Sequence, residues 1–179
     1  MPLTLLLGGA RAGKSRLSVQ IAATWDGPVT VIATAEARDP EMEDRIRRHR
    51  EGRPEHWAVI EEPVHLEGAL SGLRPEAAAI VDCLTLWVSN MIEIGCPSDE
   101  IERRARRAAG MAAARAALTL AVSNEVGSGI VPVNALARRF RDDLGMVNEI
   151  WASASERSAL VVAGRAIPLS GPEAITGDR

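Results

Sequence analysis

Lysine is almost missing from this 179-residue chain: its 21 Lys and Arg residues include a single lysine, Lys14. Arginine carries every other fixed positive charge, which points to a requirement at this one position for a compact ammonium rather than a planar guanidinium. Cysteine is scarce as well. Cys83 and Cys96 make neither a metal-ligand spacing nor a disulfide framework, and a reducing cytosol is the simple reading. No apolar run reaches the ~18 residues that span a bilayer, and the N-terminus lacks the charged start and small-residue cleavage site of a signal peptide. A cytoplasmic protein without a membrane span is therefore expected. The net charge is -3, so no broad basic surface is implied and no nucleic-acid partner is expected. Repeats and low-complexity linkers are also lacking, and the length fits one α/β domain, residues 1–179.

Hydrophobic residues make up 46% of the chain, enough to cover a sheet on both faces. Strand-like apolar runs at 3–7, 29–34, 78–82, 118–123, 159–163 and 166–169 alternate with helical stretches at 14–25, 40–51, 84–94, 98–116 and 134–155. That alternation predicts a mostly parallel sheet with helices on both faces. Gly145 is expected to interrupt the last helix, Gly164-Arg165 to make the two-residue turn of a closing hairpin, and residues 170–179 to fray.

The strongest chemical signal is Gly8-Gly9-Ala10-Arg11-Ala12-Gly13-Lys14-Ser15, which matches the G-x-x-x-x-G-K-[ST] pattern between an apolar strand and an amphipathic helix. Glycines let successive backbone N–H groups face phosphate oxygens, and the helix that follows adds its positive end. Lys14 is the phosphate cation, and the Ser15 hydroxyl is a ligand for Mg²⁺. A P-loop enzyme also needs an acid at the end of a neighbouring strand to organise that metal. Asp82, closing Ala79-Ile80-Val81-Asp82, is the candidate; the alternative is an Asp that caps the next helix. Glu125, after the 118–123 run, is a second strand-end acid with a weaker claim. His49 lies among Arg45, Arg47, Arg48, Arg50 and Arg53, where arginines would hold an imidazole neutral and attract phosphate. A neutral imidazole is a competent phosphorus nucleophile, although spacing alone favours a solvated basic helix face. His56 and His65 lack that setting. Trp57, Trp87 and Trp151 could stack on a large ligand but are more often core anchors. The glycine-punctuated segment 124–132 follows a strand, and is either a ligand wall or a plain connector.

Taken together, these segments resemble the bifunctional adenosylcobinamide kinase / adenosylcobinamide-phosphate guanylyltransferase family. The likeness runs from Leu5 to about Leu169 and rests on the P-loop, on Ile32-Ala33-Thr34-Ala35, on Arg45-Ile46 with His49, and on Arg53-Pro54 with His56-Trp57 and Glu61-Glu62-Pro63. Further on it includes Val81-Asp82-Cys83-Leu84-Thr85 through Asn90, Ser123-Asn124-Glu125-Val126-Gly127 with Gly129-Ile130-Val131-Pro132, and Phe140-Arg141-Asp142. The resemblance implies a three-layer, RecA-like P-loop NTPase fold that assembles as a homotrimer. It implies two reactions: phosphorylation of adenosylcobinamide, a corrinoid, by ATP or GTP, then transfer of GMP from GTP to that phosphate through a GMP–histidine intermediate, with Mg²⁺ as cofactor. The family's nucleophile maps onto His49, which keeps its distance from Arg45-Ile46 and Arg53-Pro54 although some relatives carry two adjacent histidines where this chain has Arg48-His49. Its nucleotide contacts map onto Gly8 to Ser15, Thr34, Ala35, Glu36, Arg50, Glu51, Gly52, Arg53, Glu61 and Asp82. The rivals are a single-activity small-molecule kinase, which would leave His49 on the surface, and a nucleotide-dependent regulatory module.

Overall fold

A computed structural model describes residues 3–171 of the chain. Its elements, in order, are β1 (Leu3–Leu7), α1 (Lys14–Ala22), β2 (Val29–Ala33), α2 (Pro40–Glu51), β3 (Ala58–Glu61), α3 (Leu66–Ser71), β4 (Ala78–Asp82), α4 (Leu84–Glu93), α5 (Ser98–Ala113), β5 (Thr119–Val122), α6 (Ala135–Ala154), β6 (Arg157–Val162) and β7 (Arg165–Leu169). The seven strands form one sheet in the order β3-β2-β4-β5-β1-β6-β7. All pairings are parallel except β6 with β7.

The apolar runs become central strands because both faces of a parallel sheet are covered. On β4, Ala78 and Ile80 pack with Val29, Val31, Leu118 and Leu120 against α1, while Ala79 and Val81 face a larger core of Trp87, Met91, Ile101, Leu144 and Trp151 on α4, α5 and α6. Helix α1 buries Lys14, Ser18 and Ala22, residues spaced to share one helical face. Helix α2 differs in burying no residue at all. It is started by the Asp39 side chain, which accepts from Met42 N at 2.7 Å, and by Pro40 at its first position.

Several expectations need correction. Asp82 ends not the strand beside β1 but the one beyond it, because β5 lies between β4 and β1. The strand β3 and the helix α3 were not expected: β3 has four mostly exposed residues at a sheet edge, too few to show a period, and α3 has six. Helix α1 stops at Ala22 and α5 at Ala113, short of the anticipated ends. Helix α6 runs unbroken through Gly145, at which an added Cβ would meet nothing. The hairpin turn is Ala163-Gly164, one residue earlier than expected, since Val162 pairs with Arg165. Both turn residues have positive φ, 51° and 75°, the mirror-image turn that matches strand twist. Of the tail expected to fray, Ser170 and Gly171 have no regular structure and the rest lies outside the described residues. No helix among the described residues is long and apolar enough to cross a membrane.

Candidate active site

The C-terminal ends of β1, β4 and β5 converge below α2, and a cleft of about 1550 Å³ opens there. Its lining includes residues from the loop after β1 (Arg11, Gly13, Lys14, Ser15), from α2 (Arg45, His49, Arg50), and Arg53, Glu61, Asp82, Cys83 and Asn124. A single small-molecule site is typically about 300–1,000 Å³, so this cleft is large enough for two substrates side by side.

The loop's shape depends on backbone that only glycine adopts without strain. Gly8 (φ 151°) packs so closely that an added Cβ would lie 2.3 Å from the carbonyl oxygen of Val161. Gly13 (φ 100°) caps α1, and Gly164 N donates to Ala12 O at 2.8 Å, so the β6–β7 turn braces the loop from beside it. Lys14 Nζ is buried and held by three oxygens: Gly8 O at 2.8 Å, Gly9 O at 2.7 Å and Asn124 Oδ1 at 2.6 Å. Burial lowers its pKa, against the pull of the Asp82 charge. The cation is thus parked on the loop's own carbonyls, within a short swing of any anion in the cradle.

Asp82 is the centre of the site. Its buried carboxylate takes Ser15 Oγ on Oδ1 at 3.2 Å, and on Oδ2 both Arg53 Nη2 at 2.7 Å and His49 Nδ1 at 3.2 Å. Burial pushes this carboxyl up, but the His49 hydrogen bond and the Arg53 charge outweigh it and hold the group below its usual range. It does not cap the next helix: the N-cap of α4 is Cys83, without a side-chain cap bond. The oxygen donors fit Mg²⁺, which keeps most of its coordination for water and substrate phosphates and needs few protein ligands. That requirement is compatible with the lack, among the described residues, of any cluster of three or more His, Cys, Asp or Glu. Cys83, beside it, is pushed up to about 11 by burial and the Asp82 charge and is a thiol at neutral pH.

Of the residues expected to contact nucleotide, Arg11, Ala12, Gly13, Lys14, Ser15, Ala35, Glu36, Arg50, Arg53, Glu61 and Asp82 line the cleft, as does His49, the expected nucleophile. Arg50 is paired with Glu61 across its mouth. Gly8 and Gly9 serve through their carbonyls, as above, while Ala10, Glu51 and Gly52 lie off the lining. Thr34 is fully buried, its hydroxyl donating to Cys83 O at 2.7 Å and accepting from Cys83 N at 2.8 Å, so it ties β2 to β4 rather than facing the cleft. Trp57, Trp87 and Trp151 are core residues. His56 and His65 are exposed and away from the site. Glu125, the second strand-end acid, accepts from Gly127 N and shapes its own loop.

Asn124 is the functional residue that sequence reasoning did not single out. Its backbone N donates to Thr85 Oγ1 at 2.7 Å and its carbonyl accepts from Asn148 Nδ2 at 2.9 Å, which leaves the side chain aimed at Lys14. Its signals were its place, immediately after a strand, and its membership of the Ser123-Asn124-Glu125-Val126-Gly127 segment that carries the family resemblance.

This sheet, with its P-loop after the central strand β1 and the acid two strands away at the end of β4, is a RecA-like P-loop NTPase fold. A solved ATPase of the type III secretion system of pathogenic bacteria shares it, with a TM-score of 0.54, 11% sequence identity, and coverage of 98% of this chain and 53% of that one. Sequence relatives are closer. The bifunctional adenosylcobalamin biosynthesis protein CobP of Pseudomonas aeruginosa is 44% identical over 173 residues, 93% of this chain and 96% of that protein. CobU of Escherichia coli, described by the same bifunctional role, is 37% identical over 90% of this chain and 96% of its own length. Residues 4–169 match the CobU family, cobinamide kinase / cobinamide phosphate guanyltransferase, and the chain belongs to that family.

Proposed function

We propose that this protein phosphorylates adenosylcobinamide with ATP or GTP and then transfers GMP from GTP to the new phosphate, using the one cleft for both steps. The observation that carries this reading is the meeting of Ser15, Arg53 and His49 on the Asp82 carboxylate. The group that serves a P-loop and the histidine that would take GMP share one anchor.

In the kinase step the loop amides and the N-terminus of α1 bind the phosphates. Lys14 leaves its three oxygens to neutralise charge on the transferring group. Ser15 and Asp82 would hold Mg²⁺, which supplies charge neutralisation between the phosphates when bound. In the guanylyl step His49 attacks the α-phosphorus, with arginines of α2 and Arg53 to hold the triphosphate. Because α2 buries no residue and is fastened over the cleft by polar contacts, phosphate oxygens can take over those contacts without disrupting a core. A cytoplasmic homotrimer is part of the same proposal: the trimer rests on the family resemblance, and the compartment on the two free cysteines.

Purified protein given adenosylcobinamide and γ-labelled GTP is expected to label the corrinoid. With corrinoid phosphate and α-labelled GTP, the corrinoid again takes the label. A corrinoid that accepts γ-label and never α-label identifies a single-activity kinase and overturns the proposal.

A further inference from the structure

We propose that Asp82 orients His49 through Nδ1, so that the guanylyl group is carried on Nε2, and that this one carboxylate thereby serves both half-reactions. The inference rests on the reading of His49 as nucleophile and adds to it the reacting atom and the residue that selects it.

The geometry is one-sided. His49 Nδ1 lies 3.2 Å from Asp82 Oδ2, and the side chains are 35% and 8% exposed. One edge of the ring therefore rests on a buried group while the ring also lines the open cleft. A carboxylate is an acceptor only, so Nδ1 must carry the proton of the neutral imidazole, and the lone pair is left on Nε2. Arg53 Nη2 on the same Oδ2, at 2.7 Å, fixes that oxygen in turn. On its far side the carboxylate takes Ser15 Oγ on Oδ1, the hydroxyl of the P-loop. The two oxygens of one group thus face the two half-reactions.

The chemistry balances on these atoms. The Nε2 lone pair attacks the α-phosphorus of GTP. The N–P bond forms, the P–O bond to the β-phosphate breaks, and its electron pair leaves with pyrophosphate. The ring becomes cationic, its Nδ1–H stays on Asp82, and the carboxylate balances the charge. An oxygen of the corrinoid phosphate then attacks the same phosphorus, the N–P bond breaks, and the pair returns to Nε2. His49 gains and loses no proton in either half, which is why it needs an orienter and not a proton acceptor. Since the anchor is shared, phosphoryl and guanylyl transfer at one cleft take place in turn.

The test is the linkage position. Full-length protein is labelled with GTP and Mg²⁺, denatured in base to preserve the P–N bond, and read by long-range proton–phosphorus NMR correlation. Phosphorus on Nε2 couples comparably to both ring C–H groups, and on Nδ1 strongly to one. Coupling to both is the expected result. Asp82→Asn is expected to slow labelling by about 10²-fold or more and to spread the residual adduct over both nitrogens. An adduct on Nδ1 of wild-type His49 overturns this inference while leaving His49 the nucleophile. An Asp82→Asn variant labelled at the wild-type rate, wholly on Nε2, overturns the role of Asp82. Label away from His49 overturns the underlying reading as well.

Discussion

Replacing Asn124 with alanine tests whether Lys14 is parked before nucleotide arrives. The change removes the oxygen 2.6 Å from Lys14 Nζ and leaves the ammonium with Gly8 O and Gly9 O. A hydrogen bond to a charged group contributes about 1.5–3 kcal/mol, and the low end applies because Asn124 borders the open cleft, where water can replace part of it. For a domain of this size, about 1.5 kcal/mol lowers the Tm of the empty protein by about 3–6 °C. With a triphosphate bound, Lys14 has turned to the phosphates and the lost oxygen no longer matters. The variant's Tm then approaches that of wild type, and its nucleotide-induced rise is larger by about the same 3–6 °C. Thermal unfolding followed by circular dichroism, with and without Mg²⁺ and nucleotide, reads both quantities. An Asn124→Ala protein as stable as wild type when empty, or equally destabilised when loaded, would refute the idea that Lys14 exchanges one set of partners for another.

Lys14→Ala is expected to cut phosphorylation of the corrinoid by about 10²–10³-fold, the effect of losing one transition-state charge contact, with an unchanged far-UV spectrum; near-wild-type turnover would contradict it. Gly8→Ala places a Cβ 2.3 Å from the Val161 carbonyl and is expected to destabilise the fold by about 3 kcal/mol, measured by urea unfolding. Asp82→Asn is expected to be less stable than wild type at neutral pH. The folded carboxyl sits below its unfolded value, near 3.9, so its contribution is full above that value and is lost as pH falls through the lower folded one. The gap between the two proteins therefore closes in acid; a gap that widens there contradicts the pairing.

Much of the fold was legible because long buried segments carry strong periods. Strands β1, β2, β4 and β5 are nearly all buried, and a run such as Ala78–Asp82 has few alternatives. The P-loop was legible because its glycines and its lone lysine are each required by geometry. The missed elements are the short ones, β3 with four residues and α3 with six, whose existence depends on the neighbours they pack against and not on their own pattern. Gly145 misled because a glycine in an exposed helical position costs only about 1 kcal/mol, which α6, with Leu144, Val147, Ile150 and Trp151 buried, tolerates. At the site, residue identity was readable and partnership was not. Spacing placed His49 on a solvated arginine face, and only the fold brings it to Asp82 across 33 residues of sequence. Asn124 stayed hidden for the same reason, since Lys14 lies 110 residues away in the chain.

The central claim, that one cleft carries both a P-loop kinase and a histidine that takes GMP, is tested most directly by finding where GMP attaches. Protein incubated with α-labelled GTP and Mg²⁺, digested under basic conditions and sequenced by mass spectrometry, is expected to carry GMP on His49, with pyrophosphate released in equal amount. His56→Ala is expected to label normally and His49→Ala not at all, while His49→Ala keeps its kinase activity. GMP on His56, on Lys14, or on no residue would contradict the account.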